Sequence, residues 1–235
     1  MKEIFDHYIE TSFGELKQAE FKFDQFNFNY KQYFIVNKNN RVLDIGIGRG
    51  EMLTCMKNWD YVNYLGLDIS PSTVSFCKSI GLNCELTDDT IKWLDENKNE
   101  FSIITLLDVL EHFKKNQIVT VLKSIHSALN ADGFVIIQVP NLQAPDGQLH
   151  RYNDITHEIG FVEHSLTQVL RASGFDILEF KGFEGFCQPG FKISIIKLLR
   201  TLYWIYCRFT RKISDNLNPQ ILNPVMFVVA KKNNL

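Results

Sequence analysis

The chain has 235 residues, which suits one large domain, or one domain with an appendage, since domains typically hold ~100–200 residues. Hydrophobic residues make up 45% and charged residues 22% of it, which excludes disordered, collagen-like and disulfide-scaffold proteins. Lys and Arg number 25 and Asp and Glu 27, so the net charge of −2 gives no whole-chain argument for nucleic-acid binding.

The charge is unevenly distributed along the chain. Residues 186–235 contain eight basic residues and one acidic residue, a net charge of +7 that leaves −9 on the first 185 residues. Five cysteines form no CxxC pair and suit no closed disulfide framework, which predicts a reducing, cytoplasmic location. No apolar run approaches the ~18 residues of a membrane span, and the N-terminus does not resemble a signal peptide.

Short apolar runs alternate with helical patterns through most of the chain. Residues 1–40, rich in aromatic side chains, predict an N-terminal cap on a domain at 41–235. This alternation is typical of an α/β fold with a seven-stranded, mostly parallel sheet and helices on both faces. The predicted strands are 41–45, 64–68, 84–87, 102–107, 134–139, 177–182 and 225–230.

Local signals mark the ends of two elements. Ser70 can cap a helix whose first turn contains Pro71, and Gly81 follows its predicted end. Asp132 and Gly133 predict a tight turn into the fifth strand.

The last two strands are separated by more residues than a loop usually has, so residues 183–222 are expected to form a helical insertion. Its segment 192–212 combines a wide apolar face with basic residues. We expect the apolar face, which carries Tyr203, Trp204 and Tyr206, to pack on the sheet or on a second subunit of a homodimer. The alternative is peripheral contact with an anionic membrane surface.

The loop after the first strand is the most informative stretch, because it has glycine at every second position: Gly46, Gly48 and Gly50. Glycine lets the backbone turn sharply and approach a ligand closely. The dinucleotide fingerprint would need glycine at position 51, where Glu51 stands. Together with Asp44, this acid indicates a ligand that carries positive charge. Asp68 ends the second strand, where an acid can accept hydrogen bonds from ribose hydroxyls.

Four motifs follow one another at the predicted strand ends: VLDIGIGRG, LGLDIS, Thr87-Asp88-Asp89 and FSIITLLDVLEHF. In this order they resemble class I S-adenosylmethionine-dependent methyltransferases, which have a Rossmann-like fold. The resemblance implies S-adenosyl-L-methionine as cofactor.

The resemblance also implies residues for each part of the cofactor. It assigns the methionine part to Asp44, Gly46 and Gly48, and the ribose to Asp68. Either Asp88 or Asp89 would contact the adenine amino group, and alignment of the following helix favours Asp89. The alternative for either is a helix N-cap. The remaining predicted cofactor contacts are Ile69, which would flank the adenine ring, and Leu107.

Candidate proton acceptors follow the fourth and fifth strands. Histidine is the obvious base for a hydroxyl nucleophile because its pKa lies near neutrality. His112 comes directly after the fourth strand, where it could act as the base or shape the cofactor pocket, and Asp108 and Glu111 could orient it.

The second candidate region, HRYNDITHEIGF, lies beyond the fifth strand and is dense in polar groups. With the following EHSLTQVLRASGF it resembles methyltransferases encoded with bacterial cell-surface glycan enzymes. His157 is then the first choice for general base, and Arg151 and Tyr152 would contact the acceptor. A divalent metal held by His150, Asp154, His157 and Glu158 is a weaker alternative because loop spacing does not fix the geometry, so no metal is predicted.

The sequence therefore predicts an enzyme that methylates an oxygen of a small polar acceptor. By the resemblance, this acceptor is a sugar, a nucleotide-sugar or a phosphate-type group in capsule or other surface polysaccharide biosynthesis. The alternatives are N-methylation of a small molecule and a non-catalytic cofactor-binding partner protein. Nucleic acid is not an expected partner, because the acidic first 185 residues disfavour RNA.

Overall fold

The computed structural model describes residues 17–215 and 218–233. Within them lie seven strands and eight α-helices, in an alternating order along most of the chain. The helices are α1 (Glu20–Tyr30), α2 (Glu51–Asn58), α3 (Pro71–Ser79), α4 (Thr90–Glu96), α5 (Ile118–Ala128), α6 (Gly147–Tyr152), α7 (Glu163–Ala172) and α8 (Phe191–Asp215). The strands are β1 (Val42–Ile45), β2 (Tyr64–Asp68), β3 (Cys84–Leu86), β4 (Phe101–Leu107), β5 (Leu129–Pro140), β6 (Phe175–Gly182) and β7 (Val225–Lys232).

The seven strands form one sheet in the order β3-β2-β1-β4-β5-β7-β6. All neighbouring pairs from β3 to β5 are parallel, and β7 runs antiparallel to both β5 and β6. The predicted mostly parallel, seven-stranded sheet is confirmed. Because β1, β2 and β4 are parallel neighbours, the loops that follow them meet at one edge of the sheet.

Two apolar clusters cover the two faces of the sheet. Leu43 and Ile45 of β1 face a cluster that includes side chains of α5 and α7, whereas Val42 faces one that includes α1, α2 and α3. This alternation follows from the period of two in a strand. Both faces of the sheet are therefore buried under helices, as the sequence pattern predicts.

The predicted signals for α3 are confirmed and the predicted turn before the fifth strand is wrong. Ser70 accepts a hydrogen bond from the Thr73 backbone N–H, and Gly81 has φ of +76° just beyond the helix. Asp132 and Gly133 lie inside β5, which begins at Leu129. Leu129 pairs with Phe101 of β4 and Phe134 with Ile103, so residues 130–133 form a bulge within β5 and not a turn that precedes it.

The described part of the N-terminal cap is α1 and a short 3₁₀ turn, Lys31–Tyr33. Phe26 and Tyr30 are buried, and the Tyr30 ring lies 5.1 Å from that of Phe227 in β7. Residues 1–16 of the predicted cap lie outside the described residues. The described part of the cap packs on the sheet, as expected.

Of the two packings expected for the apolar face of α8, on the sheet or on a second subunit, packing on the sheet is wrong. Among the described residues, Cys207 is the only buried residue of this helix, and the exposed fractions of Tyr203 and Tyr206 are 47% and 63%. Ten large apolar side chains between Phe191 and Ile213 are exposed, at spacings that put them on one face.

The polar side of α8 holds it to the rest of the domain. The Arg200 guanidinium pairs with the Glu184 carboxylate at 2.6 Å, and Arg211 donates to the backbone carbonyl of Gln143 at 2.5 Å. These bonds turn the polar side inward and leave the apolar side outward, which explains why the expectation failed. None of the helices in the described residues is long and apolar enough to cross a membrane.

Candidate active site

A cavity of about 780 Å³ opens at the sheet edge where β1, β2 and β4 end. Lys22 and Phe26 of α1 line it from the side of the N-terminal cap. All eight residues predicted to contact the cofactor line this one cavity: Asp44, Gly46, Gly48, Asp68, Ile69, Asp88, Asp89 and Leu107. His112 and His157, the two predicted bases, also line it.

Two glycines of the β1 loop have left-handed backbone conformations that other residues rarely adopt. Gly46 has φ of +73°, and a Cβ there would lie 2.3 Å from a methyl group of Val109. Gly48 has φ of +49°, and a Cβ there would meet no atom within 4 Å. Gly46 is therefore required by both backbone and packing, whereas the open space beside Gly48 lets a ligand approach the backbone.

The carboxylate of Asp68 is fixed against the backbone of the loops around it. Its Oδ2 accepts a hydrogen bond from the Ile47 N–H at 2.9 Å, and its Oδ1 accepts one from the Ser70 N–H at 2.8 Å. Burial raises the pKa of Asp68 to about 6, although these backbone N–H groups favour its charged form. The carboxylate is thus oriented at the end of β2 before any ligand binds.

Asp44 is buried beneath the glycine loop. Thr105 of β4 donates to its Oδ1 at 2.6 Å. Burial raises the pKa of Asp44 to about 8, and the charges of Asp68 and Glu51 add to the shift. Three carboxyl groups therefore share this end of the cavity, an arrangement that suits the ammonium and sulfonium charges of S-adenosylmethionine.

The two aspartates after β3 have different surroundings. Asp89 accepts a hydrogen bond from the Lys92 N–H at 3.0 Å and so caps α4. Asp88 is exposed and makes no hydrogen bond within the described part of the chain. The side chain of Asp88 is therefore the one that is not engaged by the protein.

At the end of β4, Glu111 is almost fully buried, with 1% of its surface exposed. Neither carboxylate oxygen has a hydrogen-bond partner among the described residues. Its Oε1 lies 3.9 Å from Nε2 of His157. Burial, with the nearby charge of Asp108, raises the pKa of Glu111 well above its usual value.

The two histidines stand next to Glu111, with ring centroids 4.8 Å apart. His157 Nδ1 lies 3.1 Å from the carbonyl oxygen of His150, which can only accept a hydrogen bond. His112 Nδ1 lies 2.8 Å from the Thr156 hydroxyl, which itself donates to Asp154. In the neutral form of each ring the proton is therefore assigned to Nδ1, and Nε2 carries the lone pair. Burial and the neighbouring His157 lower the pKa of His112.

Arg151 and Tyr152, both predicted to contact the acceptor, do not line the cavity. The Arg151 guanidinium donates to the carbonyl oxygens of His157 and Glu158, at 2.5 and 3.0 Å. Tyr152 is 79% exposed. The geometry makes Arg151 a positioning residue for the segment that carries His157.

Sequence reasoning gave no role to a polar network behind the cavity. Asp108, with φ of +58°, accepts a hydrogen bond from Gln138 at 2.7 Å, and Gln138 accepts one from Tyr30 of α1. The aromatic pattern of α1 predicts that it packs on the domain. No local signal in the sequence links Tyr30 to a strand more than a hundred residues away.

The sheet order with its antiparallel β7, the glycine loop after β1 and the acids at the ends of β1 and β2 define a class I methyltransferase. A comparison with protein families supports this: the family described as "Methyltransferase domain" matches residues 19–179. The chain belongs to this family, and it is an S-adenosylmethionine-dependent enzyme.

Individual proteins are also similar to the chain. It is 30% identical over 139 residues to a tRNA (guanine-N(7)-)-methyltransferase of Metamycoplasma hominis, which covers 53% of this chain and 68% of that protein. A SAM-dependent methyltransferase from Archaeoglobus fulgidus superposes with a TM-score of 0.69 at 21% identity, over 96% of this chain and 98% of that one.

A third protein was solved with the product of the cofactor bound. It is the 1,6-didemethyltoxoflavin-N1-methyltransferase of Burkholderia thailandensis, with 1,6-didemethyltoxoflavin and S-adenosylhomocysteine bound. Its TM-score is 0.60 at 16% identity, over 97% of this chain and 84% of that one. Membership of the methyltransferase family, together with the glycines and acids that line the cavity, makes S-adenosylmethionine the cofactor of the present enzyme.

Proposed function

We propose that the protein methylates an oxygen of a small polar acceptor. The observation that carries this proposal is the pair His112 and His157, which line the cavity and can accept the proton of a hydroxyl, with the buried Glu111 carboxylate 3.9 Å from His157 Nε2. When bound, S-adenosylmethionine supplies an activated methyl group on its sulfonium. A sugar, nucleotide-sugar or phosphate-bearing acceptor in surface polysaccharide biosynthesis is supported by the resemblance of the loop at 150–161 to glycan methyltransferases.

Different residues of the cavity are proposed to bind different parts of the cofactor. Asp44 would face the ammonium group, and Gly48 would admit the methionine part to the backbone. Asp68 would accept the ribose hydroxyls. Asp88 would accept the adenine amino group, because Asp89 already caps α4. The remaining cofactor contacts are proposed for Gly46, Ile69 and Leu107.

His157 is proposed as the general base. Its Nε2 carries the lone pair because Nδ1 donates to the carbonyl oxygen of His150. Arg151 holds the backbone carbonyls of His157 and of the following Glu158 in place. His112 is the second candidate for the base, and the exposed Tyr152 is proposed to meet the part of the acceptor that lies outside the cavity.

A nitrogen acceptor is the alternative. The similar tRNA (guanine-N(7)-)-methyltransferase and the 1,6-didemethyltoxoflavin-N1-methyltransferase both methylate nitrogen atoms, as their names state. Guanine N7 of an RNA or a neutral amine offers a lone pair without losing a proton first. Methylation of such an atom would need no base. The net charge of −9 on the first 185 residues disfavours RNA, since RNA binding relies on phosphate neutralisation by basic groups.

The test is turnover of S-adenosylmethionine with panels of sugar phosphates, nucleotide-sugars, small amines and tRNA, followed by mass spectrometry of the products. We expect methylation of a hydroxyl, with kcat reduced ~100-fold or more by His157→Ala and unchanged by His164→Ala on the exposed surface of α7. Methylation of a nitrogen that survives His157→Ala would refute the proposal. Cofactor binding without turnover on any acceptor would favour a non-catalytic partner protein.

The exposed apolar face of α8 is proposed to pack against a second copy of the chain. Arg200, Arg208 and Arg211 already bond to groups of the domain, so the outward face is apolar and largely uncharged. A two-fold pairing brings the same face of each subunit together, and two such faces are complementary. A membrane surface is the alternative, and it would rely on basic side chains, of which the three arginines of α8 are engaged here.

Light scattering after size exclusion tests this pairing. We expect a dimer that Leu202→Glu, in the middle of the apolar face, converts to a monomer, while Thr201→Glu on the neighbouring polar side leaves it intact. If the wild type is a monomer and co-floats with anionic vesicles, the dimer is refuted and the apolar face contacts a membrane instead. All five cysteines are free thiols, which supports the proposal that the enzyme works in the cytoplasm.

A further inference from the structure

Three potential metal ligands converge beside the cavity: His112 and His157 line it, and Glu111 is buried next to them. Glu111 and His112 lie on the 3₁₀ turn Leu110–His112 that follows β4, and His157 comes from the loop after α6. One ligand atom of each of these residues lies within 4.8 Å of those of the other two. The tertiary structure thus brings together two imidazoles and one carboxylate from segments that are far apart in sequence.

The carboxylate of Glu111 is buried without a hydrogen-bonding partner among the described residues. It is 99% buried, and both of its oxygens lack a hydrogen-bond partner among the described residues. Buried polar atoms without partners are rare in proteins, because each one costs the free energy of its lost hydration. A cation between Glu111 and the two imidazoles would satisfy this carboxylate.

The two imidazoles are already oriented as metal ligands usually are. Metal-binding histidines almost always donate their other ring N–H to an oxygen atom behind them. His157 does so to the carbonyl of His150, and His112 does so to the hydroxyl of Thr156. These bonds fix the tautomer in which Nε2 carries the lone pair that a metal requires.

We propose that Glu111, His112 and His157 bind one divalent transition-metal cation. Two imidazoles and a carboxylate suit Mn²⁺, Fe²⁺, Co²⁺ or Zn²⁺ better than Mg²⁺ or Ca²⁺, which prefer oxygen ligands. At bond lengths of about 2.0–2.2 Å, ligand atoms lie at most ~4.4 Å apart. The separation of 3.9 Å between His157 and Glu111 fits this limit, and the widest separation of 4.8 Å needs only a small side-chain movement.

The proposal that a cation binds is argued from this geometry alone. The role of the cation in the reaction rests on the proposed function. Three protein ligands leave coordination positions for an acceptor oxygen. A hydroxyl bound there would lose its proton to water at a lower pH than a free hydroxyl. His157 Nε2 would then be a ligand, so the metal-bound enzyme would not use it as the general base.

The experiment titrates metal-stripped protein with Co²⁺, followed by its visible absorption, and with Mn²⁺, followed by electron paramagnetic resonance. We expect one ion to bind per chain. In pulsed electron paramagnetic resonance, the spin echo of the bound Mn²⁺ should be modulated by imidazole nitrogen. Glu111→Gln and His157→Ala should each remove this binding. Glu96→Gln and His164→Ala, both on exposed helix surface, are the matched controls that keep it.

Thr156→Val tests the bond behind His112 without changing a ligand. We expect it to weaken Co²⁺ binding about 10–100-fold, as changes to such supporting bonds do. A purely structural Thr156 would lower the unfolding midpoint and leave the affinity of the folded protein unchanged. Near-ultraviolet circular dichroism of each variant establishes that it is folded before it is titrated.

No stoichiometric binding of either ion by the wild type, or binding that is unchanged in folded Glu111→Gln protein, would overturn the inference. Its failure is distinct from that of the proposed function. If the protein binds neither ion and its metal-stripped form still methylates oxygen at the full rate, the metal site is refuted and the proposed function stands. If the protein binds one metal ion per chain and methylates only nitrogen, the metal site stands and the proposed function is refuted.

Discussion

Replacement of Asp44 by Asn should stabilise the ligand-free protein and weaken cofactor binding. The carboxyl group is buried beneath the glycine loop, and burial raises its pKa from 3.8 to about 8. Asn keeps an oxygen that can accept the Thr105 hydrogen bond and cannot ionise. The substitution therefore removes the titration of this side chain without removing its contact to β4.

The magnitude follows from the linkage between protonation and folding. A carboxyl group whose pKa is raised by folding favours the folded state fully below its unfolded pKa, and this advantage is lost as pH rises toward the folded pKa. Each pKa unit corresponds to about 1.4 kcal/mol. Between pH 5 and pH 7, the wild type should therefore lose about 3 kcal/mol relative to Asp44→Asn.

Urea unfolding of both proteins at pH 5, 6 and 7 measures this difference. Asp95→Asn, on the exposed surface of α4, is the control and should follow the wild type at every pH. A difference between Asp44→Asn and wild type that stays constant from pH 5 to pH 7 would refute the argument from burial. In calorimetry, the variant should bind S-adenosylmethionine roughly 10- to 100-fold more weakly, through loss of a charge-assisted hydrogen bond.

Three further predictions concern the cofactor cavity. Asp68→Ala should weaken binding of S-adenosylmethionine by ~1–3 kcal/mol in calorimetry, because it removes the oriented acceptor at the end of β2. Gly46→Ala should lower the free energy of unfolding by ~1–3 kcal/mol in urea, since its φ is +73° and Val109 occupies the space of a Cβ. Asp88→Ala should weaken cofactor binding, whereas Asp89→Ala should chiefly lower stability, by ~1 kcal/mol, because it removes the cap of α4. Unchanged affinity in Asp68→Ala, unchanged stability in Gly46→Ala, or weaker binding in Asp89→Ala than in Asp88→Ala would contradict these expectations.

The sequence determined the sheet and the residues that surround the cofactor cavity. The strands β1 and β2 are short, buried and mainly apolar. Asp44 lies within β1 just before the glycine loop, Asp68 ends β2, and Asp88 follows β3. Because parallel strands end at one edge of a sheet, knowing the strands was enough to predict that Asp44, Asp68 and Asp88 come together. Local pattern and one topological rule suffice for this part of the protein.

The tertiary structure decided how individual side chains are partnered. The burial of Glu111 beside His157 depends on packing between residues 46 positions apart, and no short-range pattern reports it. The same holds for α8, whose spacing predicts an apolar face without saying which side meets the domain. Hydrogen bonds of Arg200 and Arg211 turned that face outward. Periodicity specifies that a helix has two faces, and only long-range contacts determine which one is buried.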